Sequence, residues 1–236
     1  MLCWIGMKNY FIVGASSGIG KALTNVLHEE GHKVYGTYLN NHVQDNGAVY
    51  RKLNVLEEGI EPGFLPEELH GLVYCPGSIN LKPFARITPN AFISDFELQV
   101  IGAIKIIQSV LPNLKAVEHA SIVLFSTVAV QQGYNFHTQV ATSKGALEGL
   151  TRSLAAEFAP KIRVNAIAPS LTNTPLAGKL LSTDEKVKAN GDRHPLKRIG
   201  EPLDIAQMAS FLLSEKVSWV TGQILKVDGG MSSLKV

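Results

Sequence analysis

Cysteine is scarce: Cys3 and Cys75 are far apart among 236 residues and lack metal-ligand spacing. That excludes a disulfide framework and a zinc site, leaves no metal expected, and fits a reducing, cytoplasmic location. An excess of one charge is lacking too. With 22 Lys+Arg against 20 Asp+Glu, the formal net charge is +2, and no basic block occurs. The electrostatic footprint of a nucleic-acid binder is therefore missing, and small-molecule chemistry is the expectation. No apolar run reaches membrane-spanning length, so no membrane partner is expected, and Leu2-Cys3-Trp4-Ile5-Gly6 is too short for the core of a signal peptide. Met7-Lys8 directly precedes the first strand signal, so residues 1–6 read as an upstream extension. Internal repeats, low-complexity tracts and linkers are also lacking, and residues 7–236 are expected to form one domain. Its 45% hydrophobic and 18% charged residues supply a large buried core and leave no case for disorder.

Against these absences stands a glycine-rich segment, Gly14-Ala15-Ser16-Ser17-Gly18-Ile19-Gly20. It follows the apolar run Tyr10-Phe11-Ile12-Val13 and opens a stretch with helical spacing at Ile19, Ala22, Leu23, Val26 and Leu27. A strand, a glycine turn and a helix start are predicted. Glycines there admit backbone dihedrals closed to other residues and let the main chain approach a pyrophosphate. The helix N-terminus then aims free N–H groups at the negative charge. The same residues also serve a bare strand-to-helix connection, so the neighbouring elements decide between the two.

Those elements recur. Strands are predicted at Tyr10–Val13, Lys33–Tyr38, Val49–Val55, Gly71–Cys75, Ser121–Ser126, Arg163–Ala168 and Gln223–Val227. Several are continuously apolar, as in Ile122-Val123-Leu124-Phe125, the reading of strands covered by helices on both faces. Helices are predicted at Gln99–Leu111, with Pro112 near its end, and at Ala141–Phe158; Gly31 reads as the residue closing the first helix. The polar segment from Asn40 to Val49 is too brief for a full helix. The fold expected is α/β: a Rossmann-type doubly wound parallel sheet of about seven strands in three αβα layers, joined by right-handed crossovers.

Along essentially its whole length from Met7, the chain resembles the short-chain dehydrogenases/reductases. The glycine segment resembles their G-x-x-x-G-x-G fingerprint, with Val13 where a threonine usually precedes it. Tyr74-Cys75-Pro76-Gly77 stands at the family's strand-end Asn-Asn-Ala-Gly and keeps only the last residue. Arg163-Val164-Asn165-Ala166-Ile167-Ala168-Pro169, with Thr174 five beyond the proline, resembles the segment that folds over the nicotinamide. The tail is similar as well: Pro195-Leu196-Lys197-Arg198-Ile199-Gly200-Glu201-Pro202-Leu203-Asp204-Ile205-Ala206, then Val220-Thr221-Gly222-Gln223, then Val227-Asp228-Gly229-Gly230. The resemblance implies a cofactor site made by Gly14, Ser16, Ser17, Gly18, Ile19, Gly20, Asn54, Val55, Pro76, Gly77, Lys144, Pro169, Thr172 and Thr174.

Family members carry Tyr-x-x-x-Lys, whose lysine holds the nicotinamide ribose while the tyrosine exchanges a proton with the substrate oxygen. Lys144 is present, but Val140 stands four residues before it, and valine has no proton to exchange. Thr127 aligns with the family's serine and keeps a hydroxyl for a carbonyl oxygen; Gln99 aligns with the helix asparagine of the proton relay and can still hold a water. His137 precedes Lys144 by seven residues, nearly two helical turns, a spacing that resembles the Tyr-x6-Lys of enoyl reductases in the same superfamily. Imidazole exchanges protons near neutrality, so His137 is the expected acid/base, Lys144 the cofactor anchor and Thr127 the group orienting the substrate. Against this, His137 is equally readable as a loop residue bonding a backbone carbonyl. Tyr134, ten before Lys144, is a second candidate or an aromatic cap on the pocket. Cys75 reads as packing, and His119 and His194 receive no role.

The segment Gly36-Thr37-Tyr38-Leu39-Asn40-Asn41 offers no acid to bond a ribose 2′-hydroxyl, which favours NADP, and no arginine to grip a phosphate, which keeps NAD open. A lid is expected from Ser170 to about Gly191, with Leu176, Leu180 and Leu181 forming an apolar wall suited to a moderately hydrophobic carbonyl or alcohol. In the family the Gln99–Leu111 and Ala141–Phe158 helices pack across subunits, so a homodimer or homotetramer is implied. On the second helix Leu147, Leu150, Leu154 and Phe158 form a stripe, with Gly145 and Gly149 permitting close approach; one such stripe reads as core, while a second face reads as an interface. The leading reading is a nicotinamide-dependent oxidoreductase interconverting a small alcohol and its carbonyl. The alternatives are a catalytically impaired dinucleotide-binding sensor or scaffold, and an enoyl (C=C) reductase.

Overall fold

A computed structural model describes residues 6–40, 46–57 and 63–235. Seven parallel strands form its sheet: β1 Asn9–Val13, β2 Lys33–Tyr38, β3 Val49–Lys52, β4 Gly71–Tyr74, β5 Ala120–Phe125, β6 Ile162–Pro169 and β7 Ile224–Val227. Their order is β3-β2-β1-β4-β5-β6-β7. After β1 the chain builds outward through β2 and β3, then returns to place β4 on the other side of β1. The reversal opens a crevice beyond the carboxyl ends of β1 and β4, where open α/β sheets bind ligands. The predicted strands match within a few residues, except that β3 stops at Lys52 rather than Val55; Asn54 accepts from the Leu56 N–H in a side-chain turn that ends the strand. The Cys3 and Asn41 readings, with most of the extension at residues 1–6, lie outside the described residues.

Helices cover both faces. Alternation along β1 sends Tyr10 and Ile12 to one side, against Leu23 and Leu27 of α1 (Gly18–Glu29) and Ile205 and Leu212 of a C-terminal helix, Pro202–Leu213. Phe11 goes to the other side with Leu72, Ile122, Ile106 and Leu147, the last two lying on helices Gly102–Lys115 and Thr138–Phe158. Gly31, at φ 83°, closes α1 in the left-handed conformation expected of it. In chain order the remaining helices are α2 Pro89–Phe96, α3 Gly102–Lys115, α4 Thr138–Phe158, α5 Asp184–Asp192 and α6 Pro202–Leu213.

The Gln99–Leu111 expectation is corrected at both ends. The helix starts at Pro89, capped by Thr88 accepting from the Ala91 N–H, and passes through a π-helical turn, Glu97–Ile101, into α3, which runs beyond Pro112. In the π-turn the Gly102 N–H reaches back to the Glu97 carbonyl. The Leu98 carbonyl instead accepts from the Tyr74 hydroxyl at 2.6 Å. That bond ties the turn bearing Gln99 to the end of β4, beside the crevice.

Candidate active site

A continuous cavity of about 910 Å³ runs from the glycine turn, past the ends of β4 and β5, to the lid. Its first wall is the turn itself. Gly14 takes φ 80° and Gly18 φ 52°, and the Gly14 N–H donates to Thr37 Oγ1 at 3.1 Å, anchoring the turn to β2. A Cβ at Gly20 would collide with the Gly14 carbonyl oxygen, so only glycine lets α1 leave so close to the strand. Ser17, at the α1 N-cap, makes no capping bond, and the first N–H groups of the helix keep their charge complementarity for an anion.

Every residue predicted for catalysis or cofactor binding borders this one cavity, as do Leu176 and Leu180 of the expected apolar wall; Leu181 does not border it, and Met231 does. Ser16, Ser17, Gly18, Ile19 and Gly20 line one end, and Asn54 and Val55 lie beyond β3. Pro76 and Gly77 follow β4, while Pro169, Thr172 and Thr174 follow β6. A Cβ at Gly18 would lie 3.4 Å from Thr174 Cβ, so the lid already rests against the glycine turn. Thr172 Oγ1 is engaged with the Ser170 carbonyl at 3.0 Å.

The chemistry gathers where β5 and α4 meet. Thr127 accepts from the Ala129 N–H at 3.3 Å and borders the cavity. Val140 is buried in its wall, an apolar surface on the α4 turn below Lys144. His137 is not within α4, as the two-turn argument required, but is its N-cap residue. It still reaches the cavity because Phe136, at φ 70°, turns the chain sharply into the helix. A left-handed non-glycine residue costs about 1–2 kcal/mol, placing local strain next to the candidate acid/base.

The His137 ring lies 5.5 Å from that of Tyr134. The Tyr134 hydroxyl is committed to Gln132 Oε1 at 2.9 Å, and burial pushes its phenol above the ordinary value. Cys75 is also driven up, to about 12, by burial, which fits a packing thiol.

Lys144 is 8% exposed, and its Nζ makes no hydrogen bond to any described residue. Burial lowers the ammonium to about 8, opposed by the attraction of Asp95. Gln99 is fully buried, and its Oε1 also lacks a partner. Both atoms face Gly77, whose added Cβ would come within 3.6 Å of Nζ and 3.4 Å of Oε1.

Two features escaped the sequence reading. Buried His194 bonds Ser170 Oγ through Nε2 and the Asn190 carbonyl through Nδ1, each at 2.8 Å, joining the start of the lid to α5. Buried Asp95, behind the cavity wall, accepts from Gln99 and Ser143. Nothing in the local pattern flags either; only the α2–α4 packing brings Asp95 and Ser143 together.

Among the described residues no carboxylate borders the cavity, whereas Lys144 and Arg193 do. A helix N-terminus without a side-chain cap, an ammonium with no hydrogen-bond partner and an orphaned buried amide oxygen fit an anionic, hydroxyl-bearing dinucleotide. No helix among the described residues is long and apolar enough to cross a membrane, and no cluster there has the makings of a metal site.

Comparison with known proteins agrees with this fold. Residues 58–232 match the family described as enoyl-(acyl carrier protein) reductase. The L-xylulose reductase of Bos taurus is 32% identical over 237 residues, spanning 94% of this chain and 96% of that protein. The 3-oxoacyl-[acyl-carrier-protein] reductase of Thermotoga maritima is 32% identical over 244 residues, spanning 95% and 97%. Ligand-free aldohexose dehydrogenase of Thermoplasma acidophilum superposes with a TM-score of 0.87 at 25% identity, covering 98% of this chain and 97% of that one. The chain belongs to this reductase family of the short-chain dehydrogenases/reductases. It is a nicotinamide-dependent oxidoreductase.

Proposed function

We propose that the protein interconverts a small alcohol and its carbonyl, with His137 exchanging the proton that a tyrosine at position 140 would exchange in its relatives. The observation that carries this reading is the convergence of His137, Thr127 and Lys144 on one cavity beside Val140. Bound nicotinamide supplies or accepts the hydride. The glycine turn, Asn54, Val55, Pro76, Gly77, Lys144 and the Pro169–Thr174 segment hold the dinucleotide. Thr127 donates its hydroxyl to the substrate oxygen. The Asn135 carbonyl can only accept, so His137 Nδ1 carries a proton and Nε2 is the exchanging nitrogen. In reduction the imidazolium gives its Nε2 proton to the forming alkoxide; in oxidation the neutral ring removes it.

NADP is the favoured cofactor: Thr37, Tyr38, Leu39 and Asn40 edge the cavity with no acid among them. The substrate end combines Leu176, Leu180 and Met231 with Asn190 and Arg193, suiting a small compound with an apolar body and one polar end. Residues 7–236 act as one cytoplasmic domain and assemble as a homodimer or homotetramer through the faces of α3 and α4. Leu147 and Phe158 are buried in the core, whereas Leu150 and Leu154 pack on it only in part, so the α4 contact would use these two leucines and the open strip at Gly149.

Reduction of a conjugated C=C bond is the second reading, favoured by the family description and the His137-x6-Lys144 spacing. A matched pair of thioesters, one 3-oxoacyl and one trans-2-enoyl, assayed with NADPH and NADH, separates the two, alongside pooled aldehydes and ketones. Oxidation of the cofactor by 3-oxoacyl or other carbonyl substrates supports the first reading. Oxidation by the enoyl compound alone replaces it with the second. Tight cofactor binding without any turnover points instead to a dinucleotide-binding sensor.

A further inference from the structure

Asp95 is 4% exposed and does not border the cavity, so it touches neither cofactor nor substrate. Burying a carboxylate is costly unless its oxygens are filled and its charge answered. Both conditions hold around Asp95. Its Oδ1 accepts from Ser78 Oγ and from Gln99 Nε2 at 2.8 Å; its Oδ2 accepts from the same Nε2 at 2.8 Å and from Ser143 Oγ at 2.6 Å. Three chain segments meet on it: the turn after β4, the rod joining α2 to α3, and α4.

This arrangement fixes the Gln99 amide. A carboxylate accepts and does not donate, so the NH₂ must face Asp95 and the oxygen must face away. The oxygen turned away is the buried, partnerless Oε1, which shares the space above Gly77 with Lys144 Nζ. The residue before that lysine, Ser143, is itself held by Asp95. The titratable groups whose charge reaches Lys144 are Asp95 on α2 and Cys75 just after β4. Cys75 is a neutral thiol near neutrality, leaving Asp95 as the anion that answers the ammonium.

We propose that Asp95 is the positioning residue of this site: it turns the Gln99 carbonyl oxygen towards Lys144 and supplies the negative charge that balances the buried ammonium. It acts only through Gln99, Ser143 and Lys144. Its catalytic meaning rests on Lys144 holding the cofactor, whereas its effect on Lys144 is measurable without cofactor.

The test is the titration of Lys144 in cofactor-free protein, read from the pH dependence of its acetylation by acetic anhydride with peptide mass spectrometry. Wild type is compared with Asp95→Asn and Ser78→Ala. Asp95→Asn should lower the Lys144 midpoint by at least one unit, a tenfold loss of proton affinity. Ser78→Ala, which removes one neutral donor and leaves the charge, should move it far less. The pH at which NADPH affinity falls should shift with the midpoint. If affinity ignores pH while the midpoint moves, Asp95 keeps its role and the assignment of Lys144 to the cofactor is lost. An unmoved midpoint in folded Asp95→Asn overturns the proposal. Should that variant not fold, Gln99→Leu decides, because removing the oriented amide must also lower the midpoint, and an unchanged value overturns the proposal equally.

Discussion

His137 Nδ1 lies 2.8 Å from the backbone carbonyl oxygen of Asn135, two residues back in the turn that delivers the ring to the cavity. The carbonyl can only accept, so the bond places a proton on Nδ1 and leaves Nε2 as the nitrogen for the proposed exchange. His137→Ala should lower turnover roughly 10²–10⁴-fold while NADPH binding by fluorescence stays within about twofold. His137→Gln can still donate to Asn135 but cannot exchange a proton, and should be equally slow. Turnover near wild type in either variant would remove His137 from the mechanism and turn attention to Tyr134.

The cofactor preference is open to a single substitution. Leu39 follows β2, borders the cavity and is 43% exposed, so a new side chain there meets little packing resistance. Leu39→Asp should weaken NADPH roughly tenfold relative to NADH, because a carboxylate repels a 2′-phosphate and accepts from a 2′-hydroxyl. Equal effects on both Kd values would mean that the 2′ position lies elsewhere.

Much of this site was legible because short-range chemistry wrote it. Gly14, Gly18 and Gly20 are demanded by backbone geometry within seven residues, and the unbroken apolar runs of β4 and β5 declare burial on both faces. The place of Lys144 on the cavity was expected from its surrounding motif, and that the Val140 side chain beside it has no proton to exchange follows from residue type alone. The π-turn at Glu97–Ile101 was not legible, since it depends on Tyr74 capturing the Leu98 carbonyl from a distant strand. Asp95 was invisible for the same reason: an acid in an amphipathic helix ordinarily reads as solvent-facing, and only the packing of α2 on α4 supplies its donors. His194 became meaningful only when the lid brought Ser170 to it.

Lys144 also makes stability depend on pH with a definite sign. Its folded value, about 8, lies below the ordinary lysine value of 10.5. Between these two pH values the unfolded chain keeps a proton that the folded chain has released, so this group makes stability rise with pH. Below 8 the full cost of burying the ammonium is present, on the order of 3 kcal/mol; above 10.5 it vanishes. Lys144→Met should gain most over wild type in cofactor-free protein at pH 7, with the gain shrinking towards pH 10.5. Denaturant titrations giving a constant difference across that window would show that the ammonium is better solvated than its burial implies.

Two glycines on different helices should respond oppositely to the same change. At Gly20 a Cβ would strike the Gly14 carbonyl oxygen and lie 3.2 Å from Ala15 Cα, both backbone atoms that cannot swing aside. Gly20→Ala should therefore cost about 1–3 kcal/mol or more and weaken cofactor binding by opening the turn. At Gly149, in the middle of α4, a Cβ meets nothing within 4 Å, and alanine should stabilise the folded chain by up to about 1 kcal/mol through helix propensity. The open strip at Gly149 matters if α4 meets a second subunit, because a large side chain would then hold the two helices apart. Gly149→Trp should lower the molar mass measured by light scattering while leaving the circular dichroism of the subunit intact. A mass unchanged from that of an oligomeric wild type would move the subunit contact away from this strip of α4.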